Sequence, residues 1–289
     1  MHPAIFAHRG SSGRFAEHTR AAYLQALADG ADGVECDVHL TRDRELVCIH
    51  DPRLDRTSNG TGDVASTRLK DLRSLDFSSW KGARIPAEYG GIFNQLLSLA
   101  DLLDILLAAR RPVSLAIELK HPSPFGLRLE EQLISFLLNR GWNPVGSTLG
   151  NITVSFMSFN PDSMRRLLEV APQHSVCQLV ADVNRDEVKG ALFFGALAAG
   201  AVVNLMRRAV REGERLIRLH SVGIAGPGIK YVRDHPETVA GWIADGVRVR
   251  AWTVNTDDDA ALVQQLGIHE ITTDYPSRMR ELLAGGTVA

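Results

Sequence analysis

Two histidines in the first fifth of the chain stand among residues that do phosphate chemistry. His8 is followed by Arg9 and Gly10, His50 by Asp51, and Glu35-Cys36-Asp37 lies between them. Two imidazoles, a guanidinium and paired carboxylates are the components of metal-assisted reaction at a phosphate ester. Alternate residues of a strand share a face, so Glu35 and Asp37 project together. Glu118 and Lys120 repeat the spacing further along. Three carboxylates brought together repel one another and desolvate poorly without a cation. Hard oxygen ligands with no cysteine partner suit Mg²⁺ or Ca²⁺ better than Zn²⁺. Ordinary strand-end salt bridges would account for Glu35 alone, but not for all four residues at once.

Histidines flanking a metal-bound phosphate can serve as base and acid for a displacement. Arg9 would add a bidentate phosphate clamp and Lys120 a point charge for the developing negative charge. His2, His121, His174, His220, His235 and His269 have no such setting and read as satisfied polar or surface residues.

The elements that must position these groups follow from the pattern of the chain. Strand-like runs at 4–8, 33–38, 113–119, 152–157, 175–180, 223–225, 247–254 and 270–273 alternate with helical stretches. The helices are expected at 19–29, 95–110, 128–140, 161–170, 185–199, 236–245, 256–266 and 276–283. Eight such units predict a (β/α)8 barrel, with 223–225 the weakest strand, and carboxylates at strand C-termini then meet at the barrel mouth. The runs 34–40 and 46–49 are too close for a parallel crossover and predict a β-hairpin after the second barrel strand. Closed about Asp43, it returns His50 opposite Cys36 and Asp37. The segment 51–93 reads as an insertion, with turns at Asn59-Gly60 and Gly62 and a helix over 67–75. One domain over 1–289 is expected.

Bulk composition narrows the field further. With 289 residues, 45% of them hydrophobic, the chain can fill a barrel core. A net charge of -2 gives no electrostatic case for nucleic acid or an anionic membrane. Cys36, Cys48 and Cys177 lack disulfide or zinc spacing and read as buried thiols. The N-terminus has no basic region followed by a long apolar run, so a cytoplasmic enzyme is expected. The nearly uncharged stretch 190–206 is short of the ~20 residues a membrane span needs. With the basic run 207–218 it either forms an amphipathic surface that meets lipid or, the favoured reading, an outer helix, a short strand at 201–204 and a solvated helix.

In order along the chain, His8-Arg9-Gly10, Glu17-His18-Thr19, Glu35-Cys36-Asp37, Thr41-Arg42-Asp43, His50-Asp51, Glu118-Leu119-Lys120, Ser158-Phe159, Trp252-Thr253-Val254-Asn255 and Thr273-Asp274-Tyr275-Pro276 resemble the glycerophosphodiester phosphodiesterases. Each motif is weak, but the ordered set spans nearly the whole chain. The resemblance implies that Glu35, Asp37 and Glu118 hold the metal and that His8 and His50 form the acid–base pair. It also implies that Arg9 and Lys120 hold phosphate oxygens, that Trp252 packs on the glycerol or leaving group, and that Glu17 supports them. Three positions depart from the family pattern: Ala16 replaces its usual Pro, His18 its usual Asn, and Arg44 its usual Gly. His18 is either an added imidazole near the mouth or a first-turn helix residue beside an N-cap at Thr19.

The implied reaction is metal-dependent hydrolysis of a glycerophosphodiester to sn-glycerol 3-phosphate and an alcohol, through a cyclic phosphate. A lysophospholipase D-type enzyme is the nearest rival, needing an apolar groove from Phe193, Phe194 and Leu197 or from Phe77 and Trp80. A silent phosphodiester-binding barrel fits less well, since none of the implied ligands or acid–base residues is missing.

Overall fold

Strand and helix alternate in space as they do in sequence, in a computed structural model that describes residues 2–183 and 196–285. The strands are β1 (Ala4–Ala7), β2 (Gly33–Leu40), β3 (Leu46–Cys48), β4 (Val113–Leu119), β5 (Thr148–Leu149), β6 (Ile152–Ser158), β7 (Val176–Val180), β8 (Ile224–Pro227), β9 (Arg248–Ala251) and β10 (Glu270–Thr273). Eight of them pair in parallel in the order β1-β2-β4-β6-β7-β8-β9-β10, and β10 pairs with β1 to close the barrel. The weakest expected strand is present as β8.

The α-helices among the described residues are α1 (Arg20–Ala28), α2 (Leu69–Leu72), α3 (Leu99–Ala108), α4 (Arg128–Asn139), α5 (Pro161–Leu168), α6 (Ala196–Arg218), α7 (Ile229–Asp234), α8 (Pro236–Ala244), α9 (Asp257–Gln265) and α10 (Pro276–Gly285). No described helix is long and apolar enough to cross a membrane.

Alternation along each strand sorts side chains between two cores. Val34, Cys36 and Val38 of β2, with Leu115, Ile117 and Leu119 of β4, pack outward into the layer beneath the helices. Phe6, Ala116, Met157, Cys177, Leu179 and Ile224 fill the barrel interior. Below them Arg250 is 2% exposed, its Nε donating to Glu270 Oε2 at 2.7 Å and its guanidinium lying 4.1 Å from the Phe6 ring centre. A buried cation is tolerated there because the carboxylate and the ring face both meet it. Cys36, Cys48 and Cys177 are buried free thiols.

The hairpin forms as its spacing requires. Val38 pairs with Cys48 and Leu40 with Leu46, and Arg44 takes the turn at φ +65°. The insertion has a core of its own, in which Leu54, Val64, Leu72 and Phe77 pack on Val47, Ile49 and Leu96.

Three expected elements differ. The helix over 67–75 shrinks to the single turn α2. The helix over 95–110 begins only at Leu99, because Ser98 and Asp101 form a capping box, while Leu96 bridges to Thr19 in extended form. The strand at 201–204 is absent, since those residues lie inside α6. Val202-Val203 reads as strand by propensity, but helical spacing carries Val203, Leu216 and Ile217 to buried positions, and packing overrides propensity. Most of the helix expected at 185–199 lies outside the described residues.

Candidate active site

His8 is the first residue past β1, and its backbone N–H donates to Thr273 O at 2.8 Å, so the ladder still fixes it. Arg9 (φ +56°) and Gly10 (φ +82°) then turn the chain sharply. A Cβ at Gly10 would lie 2.6 Å from the backbone of Ala22, so the turn can seat against α1 only with glycine there. The turned Arg9 N–H donates to Glu35 Oε2 at 3.0 Å.

Strand register assembles the carboxylates. Glu35 and Asp37 share the inward face of β2, and Asp37 is the direct register partner of Glu118 on β4. Oxygen atoms of the three lie within 4.8 Å of one another. Lys120, just past β4, places Nζ 2.9 Å from Glu118 Oε1 and 3.3 Å from Asp37 Oδ1. Glu35 Oε1 and Asp37 Oδ1 are buried with no hydrogen-bond partner. Buried acceptor oxygens left this way are costly unless something positive meets them. Three hard oxygen donors, with Glu35 Oε1 unmet and Asp37 Oδ1 facing only the Lys120 ammonium, fit a divalent cation.

Burial pushes the Glu35 carboxyl well above the usual carboxylate range, and repulsion from Asp37 adds to it. Burial likewise lifts Glu118 to about 7, against the pull of Lys120. Asp37 is as deeply buried, but Lys120, His18 and Arg9 together outweigh that and hold it well below its ordinary value.

Each of the two histidines is gripped on Nδ1 by a carboxylate. Asp274 Oδ1 meets His8 Nδ1 at 2.7 Å, and Asp51 Oδ1 meets His50 Nδ1 at 2.6 Å. Neither Nε2 has a hydrogen-bond partner among the described residues. Asp274 is itself held by Ser12 Oγ (2.8 Å) and Asn255 Nδ2 (2.7 Å). Asp51 is held by Arg56, which also donates to both oxygens of Glu17. Burial pushes His50 down to about 4, with Lys120 and Arg9 reinforcing it against Asp37. Burial opposes ionisation of Asp274 and Asp51, yet hydrogen bonds led by His8 and Arg56 respectively hold both at about 2.

Arg9 is less free than a phosphate clamp would be, since Nη1 donates to Glu17 Oε1 at 2.9 Å and Nε lies 3.1 Å from Asp37 Oδ2. Glu17 therefore steadies both Arg9 and Arg56. Trp252, past β9, is half-buried, with Nε1 donating to Gly226 O at 2.8 Å and its ring edge-on to Phe159 at 5.5 Å. Of the two readings the sequence left open for His18, the added imidazole near the mouth holds, its ring reaching Asp37 at 2.8 Å; it is not a first-turn helix residue, because it precedes the α1 N-cap Thr19 at φ +60°. His121, outside this group, is satisfied by buried Glu130 at 2.6 Å.

The residues that sequence reasoning left without a role are Asp274, Asp51, Arg56 and His39. The first two stood in quoted motifs, beside a strand end and beside His50. His39 continues the Glu35, Asp37 alternation, and its Nε2 contacts the His50 carbonyl at 3.1 Å. Arg56 had no signal, because only the fold of the insertion brings it to Glu17.

The carboxylates, cations and two Asp-held histidines gather at the C-terminal ends of strands in a closed (β/α)8 barrel, where enzymes of this fold class place their active sites. Residues 8–278 match the model of the Glycerophosphoryl diester phosphodiesterase family. The probable glycerophosphodiester phosphodiesterase 1 of Mycobacterium tuberculosis is 34% identical over 285 residues, covering 99% of this chain and 94% of that one. A putative glycerophosphodiester phosphodiesterase of Bacillus subtilis is 32% identical over 277 residues, covering 94% of each. Among solved structures, an Oleispira antarctica phosphodiesterase in complex with the product sn-glycerol-3-phosphate superposes with TM-score 0.72 at 24% identity, covering 98% of both chains. A Thermotoga maritima glycerophosphodiester phosphodiesterase gives 0.67 at 16% identity, covering 98% of this chain and 99% of that one. The chain belongs to the glycerophosphoryl diester phosphodiesterase family and is a phosphoric diester hydrolase.

Proposed function

We propose that this enzyme hydrolyses glycerophosphodiesters to sn-glycerol 3-phosphate and an alcohol, using a divalent cation, Mg²⁺ or Ca²⁺, with His8 and His50 as the acid–base pair. The observation that carries the reading is that both imidazoles are gripped on Nδ1 by a carboxylate while Nε2 stays unengaged, beside the carboxylate triad. The product bound in the Oleispira antarctica protein is in keeping with it.

Glu35, Asp37 and Glu118 would hold the cation, which when bound would neutralise phosphate charge and acidify the glycerol hydroxyl next to the ester. His50, kept neutral at pH 7, takes that hydroxyl's proton on Nε2 as the oxygen attacks phosphorus. His8, held on Nδ1 by Asp274, gives a proton from Nε2 to the departing alcohol, and a cyclic phosphate results. Water then opens the ring with the two roles exchanged, which restores both imidazoles. Lys120 and the free edge of Arg9 hold the phosphate oxygens, and Trp252 packs on the glycerol or leaving group. The whole chain acts as one barrel domain in this reading, with the insertion anchoring Asp51 through Arg56.

The test is release of glycerol 3-phosphate from glycerophosphocholine and glycerophosphoethanolamine, metal-free and with each ion restored. Metal-dependent product that falls by orders of magnitude in His8→Ala and His50→Ala is expected. Turnover near wild type in either variant refutes the acid–base assignment, and silence on both substrates from cation-loaded protein refutes the substrate assignment.

A further inference from the structure

The three carboxylates share a pattern that bears on which ion suits them. In each, one oxygen is already held by a donor of the chain. Glu35 Oε2 accepts from the Arg9 backbone at 3.0 Å, Asp37 Oδ2 meets His18 Nε2 at 2.8 Å, and Glu118 Oε1 accepts from Lys120 at 2.9 Å. Of the remaining oxygens, Glu35 Oε1 is buried without a partner, and Asp37 Oδ1 faces Lys120 Nζ at 3.3 Å without a hydrogen bond.

Of the three tethers, the one from His18 is the best braced side-chain tether. His18 is 4% exposed, and its Nδ1 lies 2.8 Å from the Tyr23 hydroxyl on α1. With Nε2–H on Asp37, a singly protonated ring accepts at Nδ1 from that hydroxyl, whose oxygen also lies 3.0 Å from the Glu35 carbonyl, so Tyr23 holds the ring from α1 beside the strand that carries Asp37. The backbone is fixed too: His18 sits at φ +60°, and its N–H donates to Arg9 O at 3.0 Å. Arg9 Nε, although 3.1 Å from the same Asp37 oxygen, makes no aligned hydrogen bond with it. Lys120, by contrast, is a flexible chain shared between two carboxylates.

We propose that His18 is a positioning residue that makes Asp37 a one-oxygen ligand and thereby biases the site toward Mg²⁺ over Ca²⁺; this rests on the cation reading above. Mg²⁺ requires near-ideal octahedral geometry, which single-oxygen carboxylates and waters supply. Ca²⁺ takes 6–8 oxygens and commonly recruits both oxygens of a carboxylate. For Asp37 to chelate with both, it must turn Oδ2 away from His18 and leave a buried imidazole N–H without an acceptor. The penalty falls on the larger ion alone. Partners that hold a ligand from behind typically change metal affinity about 10–100-fold.

The test is calorimetric titration of the metal-stripped full chain with MgCl₂ and with CaCl₂, in wild type, His18→Ala, His18→Asn and Tyr23→Phe. In His18→Ala the ratio of the Ca²⁺ to the Mg²⁺ dissociation constant is expected to fall about tenfold. His18→Asn restores a donor and tolerates positive φ, so its ratio stays close to wild type. Tyr23→Phe removes only the brace, shifts the ratio the same way by less, and serves if His18→Ala does not fold. An unchanged ratio in Tyr23→Phe and in folded His18→Ala overturns the proposal while leaving the cation reading intact. Wild-type protein that binds neither ion refutes the cation reading, and this proposal falls with it.

Discussion

Asp274→Asn tests the proposed acid–base pair without touching either imidazole. Asp274 Oδ1 accepts from Ser12 and meets His8 Nδ1, while Oδ2 accepts from Asn255 Nδ2. An amide cannot serve all three partners. With its NH₂ toward Asn255, two donors face each other. With its NH₂ toward His8, Nδ1 must become the acceptor, and the ring proton moves to Nε2, the wrong tautomer for the opening step. Losing a charge-assisted bond is worth roughly 1.5–3 kcal/mol. The tautomer change adds to that, so kcat should fall about 10²–10³-fold with KM little altered. Stability supplies an independent readout. Holding this carboxyl at about 2 instead of 3.8 contributes about 2 kcal/mol to the folded state at neutral pH. Because the folded value is depressed, the contribution is complete above the unfolded carboxylate's pKa and drains away as pH falls from about 4 to about 2. Urea unfolding at pH 7 and pH 3 should show the variant less stable at pH 7 and closer to wild type at pH 3. A variant that keeps kcat within a few-fold of wild type would refute the reasoning about His8.

Two further outcomes follow from buried charge. Glu270→Ala strands Arg250, 2% exposed inside the barrel, and should cost about 3–5 kcal/mol in urea unfolding, whereas an apolar pair of similar volume at both positions should cost far less. With Glu118 held at about 7 in the absence of a cation, cation binding must displace a proton below that pH. With Glu35 raised as well, apparent Mg²⁺ affinity should rise at least about fivefold from pH 6 to pH 7 and level off only once both carboxyls have ionised, and titrations in buffers of different ionisation enthalpy should show proton release that shrinks as pH rises.

The barrel was legible because its signals are local and repeated. Eight apolar runs, each answered by a helical stretch, leave few other topologies. Even the short strand near residue 224 follows from the count once the other seven are placed. Elements whose identity rests on packing were harder to read. Val202-Val203 carries strand propensity, yet those residues belong to α6, where a continuous helical face can bury Val203 against the barrel. Ser98 and Asp101 cap α3 four residues later than the hydrophobic run suggests, because a local pair of hydrogen bonds outweighs periodicity at a helix end.

The site divides along the same line. Glu35, Asp37 and Glu118 meet because strand alternation and register put them there, and both are encoded in short segments; Asp37 and Glu118 are direct partners across two adjacent parallel strands. The groups that set their chemistry come from afar. Asp274 reaches His8 from the other end of the chain, 266 residues away, and Arg56 reaches Glu17 from the insertion, 39 residues away. No spacing rule covers such pairs, since their proximity is a property of barrel closure and of how 51–93 folds back. His18 shows why this matters for function. By its position it is an ordinary residue ahead of a helix cap, and by type a departure from the family pattern. Only its contact with Asp37, 2.8 Å away, shows that it holds one oxygen of a carboxylate in the triad. In the proposed reading the carboxylates and histidines carry the reaction, while the residues bracing them from behind fix how each carboxylate presents its oxygens.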